Sequence, residues 1–190
     1  MANEILVKHG TQIRFFVTGS FSPADAATNW TIGTPTDVVL TLSALADDTG
    51  QQSTKVDLGA TRARRYALLG CVDYTGETPT AGGTVDYYWA PSTSATQANG
   101  NVAGNSGGNG VAPAGAVPGA LTLAEFVAMC IPIGSLRVSD DAAVQNGFVG
   151  YLTPPTEWGQ LIVVNNGGDA FEAGDAEMHQ VLVPLVDEVQ

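Results

Sequence analysis

The sequence predicts an all-β fold, an antiparallel two-sheet jelly-roll-like sandwich with one short helix and a long Gly/Asn-rich loop. Three observations predict it. First, β-forming runs of about five to ten residues recur along the chain, separated by Gly, Pro, Asn and Asp clusters. Second, strands do not alternate with helices, and no fixed-period repeat is present. Third, the central stretch RYALLGCVDYTGETPTAGGTVDYYWAP, Arg65 to Pro91, holds two runs with different burial patterns. In Tyr66–Tyr74 both faces are apolar almost to the end, as in a strand covered on both sides. In Thr84–Trp89 the residues Val85, Tyr87 and Trp89 alternate with Thr84, Asp86 and Tyr88, as in a strand with one face near solvent. The two runs read as a hairpin at the middle of the sandwich.

Taken in order, TQIRFFV at Thr11–Val17 is strand-like, and residues 20–36 form a loop. VVLTLSAL at Val38–Leu45 alternates apolar with mostly polar positions and reads as an outer strand. A turn at Asp47–Gly50 precedes a short strand, Ser53–Leu58. After the central stretch, residues 92–119 change character. Asn99–Gly119 contains seven glycines and four asparagines and no aromatic residue. Ordering such a segment costs roughly 1–2 kcal/mol per residue, and it has little apolar area with which to offset that. Something beyond the loop itself must hold it: a neighbouring subunit, or the body of its own sandwich. The segment 121–129 is the one good helix candidate, with Thr122 as its cap. Strands follow at Ile131–Val138, Gly147–Leu152 and Gly159–Val164. The last, Glu177–Val186, contains Pro184, which argues for an edge position near its end.

At 190 residues the chain reads as one domain, 1–190, able to bury a core without a metal or disulfide. Nineteen acidic against seven basic residues give a formal charge of −12. That balance opposes binding to nucleic acid or an anionic membrane. The first ten residues resemble neither a signal nor a transit peptide, and no run approaches the ~20 apolar residues of a membrane span. Cys71 and Cys130 sit among apolar neighbours and are expected to be buried thiols.

No nucleophile–histidine–carboxylate motif surrounds His9 or His179, and no phosphate loop, zinc motif or CxxC is present. The reading is therefore of a non-enzyme without a cofactor. Oxygen ligands in Gly-rich turns make Asp169 and Asp175 weak candidates for a structural cation, although the spacing of a calcium loop is missing. Trp30 and Trp158, assigned to loops, are candidates for sugar stacking or for anchoring an interface, whereas Trp89 is assigned to the core. Arg62, Arg64 and Arg65 supply three of the seven cations and could pair with carboxylates of a partner. Asn99, Asn105 and Asn109 of the loop complete the interface candidates.

Several of these residues occur in motifs. Lys55 begins KVDLG, Arg65-Tyr66-Ala67 enters a strand, PTAGGTVDYYWAPST spans Pro79–Thr93, and VLVPLVDEVQ spans Val181–Gln190. Together they resemble small jelly-roll virion proteins of tailed bacteriophages, in which a P-x-A-G-G-x-V-x-x-Y hairpin precedes a variable polar loop and P-x-x-D-E-x-Q closes the chain. The loop at Ser92–Gly119 is longer and richer in Gly and Asn than that pattern. The resemblance implies a structural role, with capsid decoration favoured over a neck or tail accessory. The implied partners are a major capsid protein and copies of the protein itself, a trimer being favoured. The implied location is the capsid exterior after synthesis in the host cytoplasm. A carbohydrate-binding module for host adsorption, with a glycan as partner, is the alternative.

Overall fold

The computed structural model describes residues 5–17, 22, 29–117, 119–174 and 176–189. The protein is all-β, with a single short α-helix among the described residues. The strands are β1 (Ile5–His9), β2 (Ile13–Phe16), β3 (Thr36–Val39), β4 (Thr49–Gln52), β5 (Val56–Asp57), β6 (Arg65–Asp73), β7 (Thr84–Ser92), β8 (Ile131–Arg137), β9 (Val144–Leu152), β10 (Trp158–Asn166) and β11 (His179–Val189). The helix α1 covers Leu123–Val127.

Hydrogen bonding runs through one curled, mixed sheet in the order β3-β2-β11-β6-β9-β8-β7-β10-β4, with β1 added to β11 and β5 to β10. The sandwich arises because this sheet folds over at β9–β8. There the ladder narrows to one pair, Gly134 opposite Gly150. The register slips beside that pair on both flanking ladders, leaving Val149 and Ile133 as extra residues. Bulges bend and twist the strands that carry them, and here two of them turn a corner. At the opposite side Thr54 donates its amide to the Val39 carbonyl at 2.8 Å, which ties the β3 edge to the chain leaving β4. The β2–β3 pair is parallel; the other pairs are antiparallel.

Both central runs form strands with the expected burial. In β7 Val85, Tyr87 and Trp89 are fully buried, whereas Thr84, Asp86 and Tyr88 are partly exposed. They do not, however, pair as a hairpin. β6 lies between β9 and β11, β7 lies between β8 and β10, and residues 74–83 cross from one layer to the other. Two adjacent runs that each bury an apolar face do so equally well by facing each other across a core as by sharing a ladder.

Other elements differ from expectation. The strand read at Val38–Leu45 stops at Val39; Ala44 adopts a positive φ of 50°, and Leu40, Leu42 and Leu45 enter the core from irregular chain. The glutamine-rich β4 was not legible as a strand. β11 is internal rather than an edge. Its Pro184 is accommodated because β2 pairing ends at Leu182 and β1 pairing begins at Leu185, so its missing N–H falls in the gap.

The main core lies between the layers and includes Phe15, Leu68, Tyr74, Tyr87, Trp89, Leu152, Leu161 and Phe171. Gly159 lies against Trp89, where any Cβ would overlap the indole. A second apolar cluster lies on the outer face of β7 and β10: Ala90, Ile162, Val164, Phe126 and Cys130, with Tyr88, Val102, Leu121 and Leu123 at its margin. Both cysteines are buried free thiols, as expected, and burial pushes each up to about 12.

Candidate functional site

The arm, residues 92–119, is held by its own body. It lies with α1 over the second apolar cluster, and it is clamped there by three polar side chains. Gln52, fully buried in β4, donates through Nε2 to the Gly108 carbonyl at 2.7 Å and to Ser106 Oγ at 3.1 Å. Its Oε1 accepts from Asn105 Nδ2 at 2.7 Å. Lys55 Nζ donates to the carbonyls of Ser94, Thr96 and Asn99 at 2.7–2.9 Å, so all three ammonium hydrogens are used. Asn109 closes a two-bond ring with Thr41: Oδ1 accepts the Thr41 amide at 2.8 Å, and Nδ2 donates to its hydroxyl at 3.0 Å. At Gly107, with φ of +73°, a Cβ would overlap the Gln97 carbonyl, so glycine there answers a tight approach within the arm. α1 is fastened by a capping box between Thr122 and Glu125.

This corrects the expectation that Asn105 belongs to an interface: it is 1% exposed and serves as the inner anchor of the arm. Asn109 is half-buried in its ring with Thr41, whereas Asn99 is exposed and contributes its backbone carbonyl. Of the two holders expected for the arm, the body of its own sandwich supplies these contacts. Its outward side, together with the end of α1, exposes Val111, Val117 and Met129 at 49%, 63% and 48%. Between α1 and β10 a groove of 350 Å³ is lined by Asp48, Tyr88, Leu123, Val127, Val164 and Asn166.

Trp158 opens β10 rather than lying in a loop, paired with Asp57 and Ser92, and is half-buried. Trp30 is half-buried as well. Its amide donates to His179 Nε2 at 3.1 Å, and its carbonyl accepts from Gln12. Asp169 accepts from the Thr78 amide and hydroxyl and from the Ala170 amide, and those bonds hold its carboxyl below the usual range. It closes a turn. Asp175 lies outside the described residues. Among the described residues no three His, Cys, Asp or Glu side chains are gathered as a metal site would require, and no helix is long and apolar enough to cross a membrane.

His179 is completely buried. Nε2 accepts from Trp30, so Nδ1, 2.8 Å from the Glu177 carbonyl, carries the proton of a neutral ring. Burial lowers its pKa; the Glu177 carbonyl opposes, the Arg14 charge adds to the lowering, and the Glu177 carboxylate opposes. The folded state therefore binds this proton less readily than the unfolded chain. Its contribution to stability is complete above the ordinary 6.5 and is lost as pH falls below it toward the folded value. The unfolding temperature is expected to drop between about pH 7.5 and 5.5, and His179→Gln should flatten that drop. An equal slope in the variant would remove His179 as its source.

The arginine cluster lies at one end of the sandwich, where β6 begins beside Leu185 of β11. Arg62 donates to the Pro155 carbonyl at 3.1 Å, and Arg65 stacks over Tyr151 at 4.9 Å from the ring centroid. Tyr151 meets Phe148 edge-on at 5.0 Å, and both are more than half exposed. Sequence reasoning missed this pair, since residues three apart in a regular strand point to opposite faces. The Val149 bulge restores them to one face. No family model matches the chain, and no curated protein matches it.

Proposed function

We propose that this protein is a structural virion component of a tailed phage, a decoration protein that binds the outside of the capsid and works through surface shape. The favoured partners are a major capsid protein and further copies of the chain. The observation that carries the reading is the arm: a segment too polar to fold by itself is fixed by Gln52, Lys55 and Asn109 into a preformed cover that exposes Val111 and Val117 on its outer side. Preorganisation of this kind lowers the ordering cost of docking. The phage-like motifs support it in order along the chain, Pro79–Tyr88 leading into β7 and Ser92 beginning the arm, although β6 and β7 do not form the hairpin of that pattern. The acidic balance also suits a surface kept clear of packaged DNA.

Deleting Asn99–Gly115 would uncover Ile162 and Val164 and so would confound docking with folding. The cleaner test is the pair Val111→Asp and Val117→Asp, both on exposed side chains. Occupancy on assembled heads is expected to fall about tenfold or more, with unfolding unchanged. Full occupancy by both variants would remove the arm from the capsid contact.

A further inference from the structure

We infer that Asn99–Gly100 is a self-modification site, where the chain cyclises with loss of ammonia and reopens as aspartate or isoaspartate, and that Lys55 promotes the reaction. The residue types define the chemistry. The Gly100 nitrogen, its proton passed to solvent base, bonds to Asn99 Cγ; the Cγ–Nδ2 bond breaks, and Nδ2 leaves as ammonia with a proton taken from water. Water then opens the cyclic imide at either carbonyl. Opening at Cγ gives aspartate, and opening at the main-chain carbonyl gives isoaspartate. Asparagine before glycine is the favourable case, because glycine has no Cβ to shield the attacking nitrogen. The chain has four such pairs, beginning at Asn99, Asn109, Asn146 and Asn166.

The fold restrains three of them. Both polar atoms of the Asn109 side chain are engaged by Thr41, at 2.8 and 3.0 Å. Asn166 Nδ2 donates to Asp86 at 2.7 Å, and the Gly167 amide, the nucleophile of that pair, already donates to Asn165 Oδ1 at 3.0 Å. Asn146 and Gly147 lie in β9 opposite Cys71 and Gly70 of β6, so ring closure would require the strand to leave the extended form its ladder imposes. Asn99 has none of these restraints. Its side chain is exposed and without a hydrogen-bond partner among the described residues, and the Gly100 amide has no acceptor there either.

The surroundings of this pair also favour the reaction. Loss of the Gly100 proton moves negative charge onto the oxygen of the same peptide group, the Asn99 carbonyl. That oxygen accepts from Lys55 Nζ at 2.9 Å and from Ser92 Oγ at 3.3 Å. Donors fixed on the atom where charge develops lower the barrier, and here one of them is a cation. The carbonyls of Ser94 and Thr96 hold the ammonium in place. The clamp that orders the arm thus acidifies a peptide within it. Either product adds a negative charge beside Lys55. In isoaspartate the clamped carbonyl itself becomes a carboxylate, and the chain reaches Gly100 through the side-chain carbon, which strains the bond from the Thr93 amide to the Gly100 carbonyl.

The inference goes beyond the virion reading and does not depend on it. The test incubates the full chain in mildly alkaline buffer, folded and, in parallel, unfolded in urea. Peptide mapping then separates asparagine, aspartate and isoaspartate at each pair. In the folded chain, conversion at Asn99 is expected to run about tenfold or more ahead of Asn109, Asn146 and Asn166, which react only from locally opened states, whereas in urea the four rates should converge. Asn99→Ser should remove most of the ammonia that the folded chain releases. Lys55→Met should slow conversion at Asn99 by about tenfold, and Lys55→Arg should recover much of it. Four equal rates in the folded chain, or an Asn99 slower when folded than in urea, would overturn the inference. So would an undiminished rate in Lys55→Met.

Discussion

Gly150→Val is expected to destabilise the protein by about 3 kcal/mol or more, or to prevent folding. A Cβ at Gly150 would overlap the Ile133 carbonyl oxygen, and one at Gly134 would overlap the Val149 carbonyl. These obstacles are backbone, which cannot swing aside as the tip of a side chain can. They also sit where β8 and β9 share a single ladder pair, so no neighbouring bond of that ladder can carry the corner if this one parts. Gly134→Val should behave alike, and the double variant should cost less than the sum, because both side chains break one seam. Urea unfolding would measure it, with Gly119→Ala as the control, since a Cβ at Gly119 meets nothing within 4 Å. Wild-type midpoints for both seam variants would show that the corner is held elsewhere.

The second large effect is expected at Gln52. Gln52→Leu removes three hydrogen bonds to the arm and leaves Asn105 Nδ2, in a side chain 1% exposed, without its acceptor. A buried polar group stripped of its partner costs about 1–3 kcal/mol, and the lost bonds to Gly108 and Ser106 add to that. The expected result is a loss of about 2–4 kcal/mol that is spatially uneven. Amides of 99–110 should lose hydrogen-exchange protection, and a hydrophobic dye should gain access to the face formed by Ala90, Ile162, Val164 and Phe126. Adding Asn105→Leu should recover part of the loss, because removing both members of a buried polar pair is less costly than removing one. Protection of 99–110 unchanged in Gln52→Leu would mean that Lys55 and Asn109 suffice.

The two variants separate what the sandwich owes to its corner from what the arm owes to its clamps. They also bear on function in different ways. Loss of the seam removes the molecule, whereas loss of Gln52 should leave the main core standing with its outer cover undone. Comparing head occupancy of Gln52→Leu with that of the surface changes at Val111 and Val117 would then tell whether a partner reads the arm's shape or only its composition.

The sequence by itself determined the fold class, most strand positions, the Thr122-capped helix and the burial of Trp89, Tyr87 and both cysteines. Those follow from period-2 patterning and local capping chemistry, which involve residues close together in the chain. It also singled out Arg62, Arg64 and Arg65 as a concentration of charge. Partner choice was beyond its reach. Which layer each central run joins, and the service of Gln52 and Lys55 to a segment some 40–55 residues away, depend on pairings between distant residues. Phe148 and Tyr151 share a face only because one bulged residue shifts the count. A strand's sequence states which side chains avoid water; the tertiary structure decides what they turn toward, because many arrangements bury the same apolar area, and far fewer also give partners to buried polar groups such as Gln52 and Asn105.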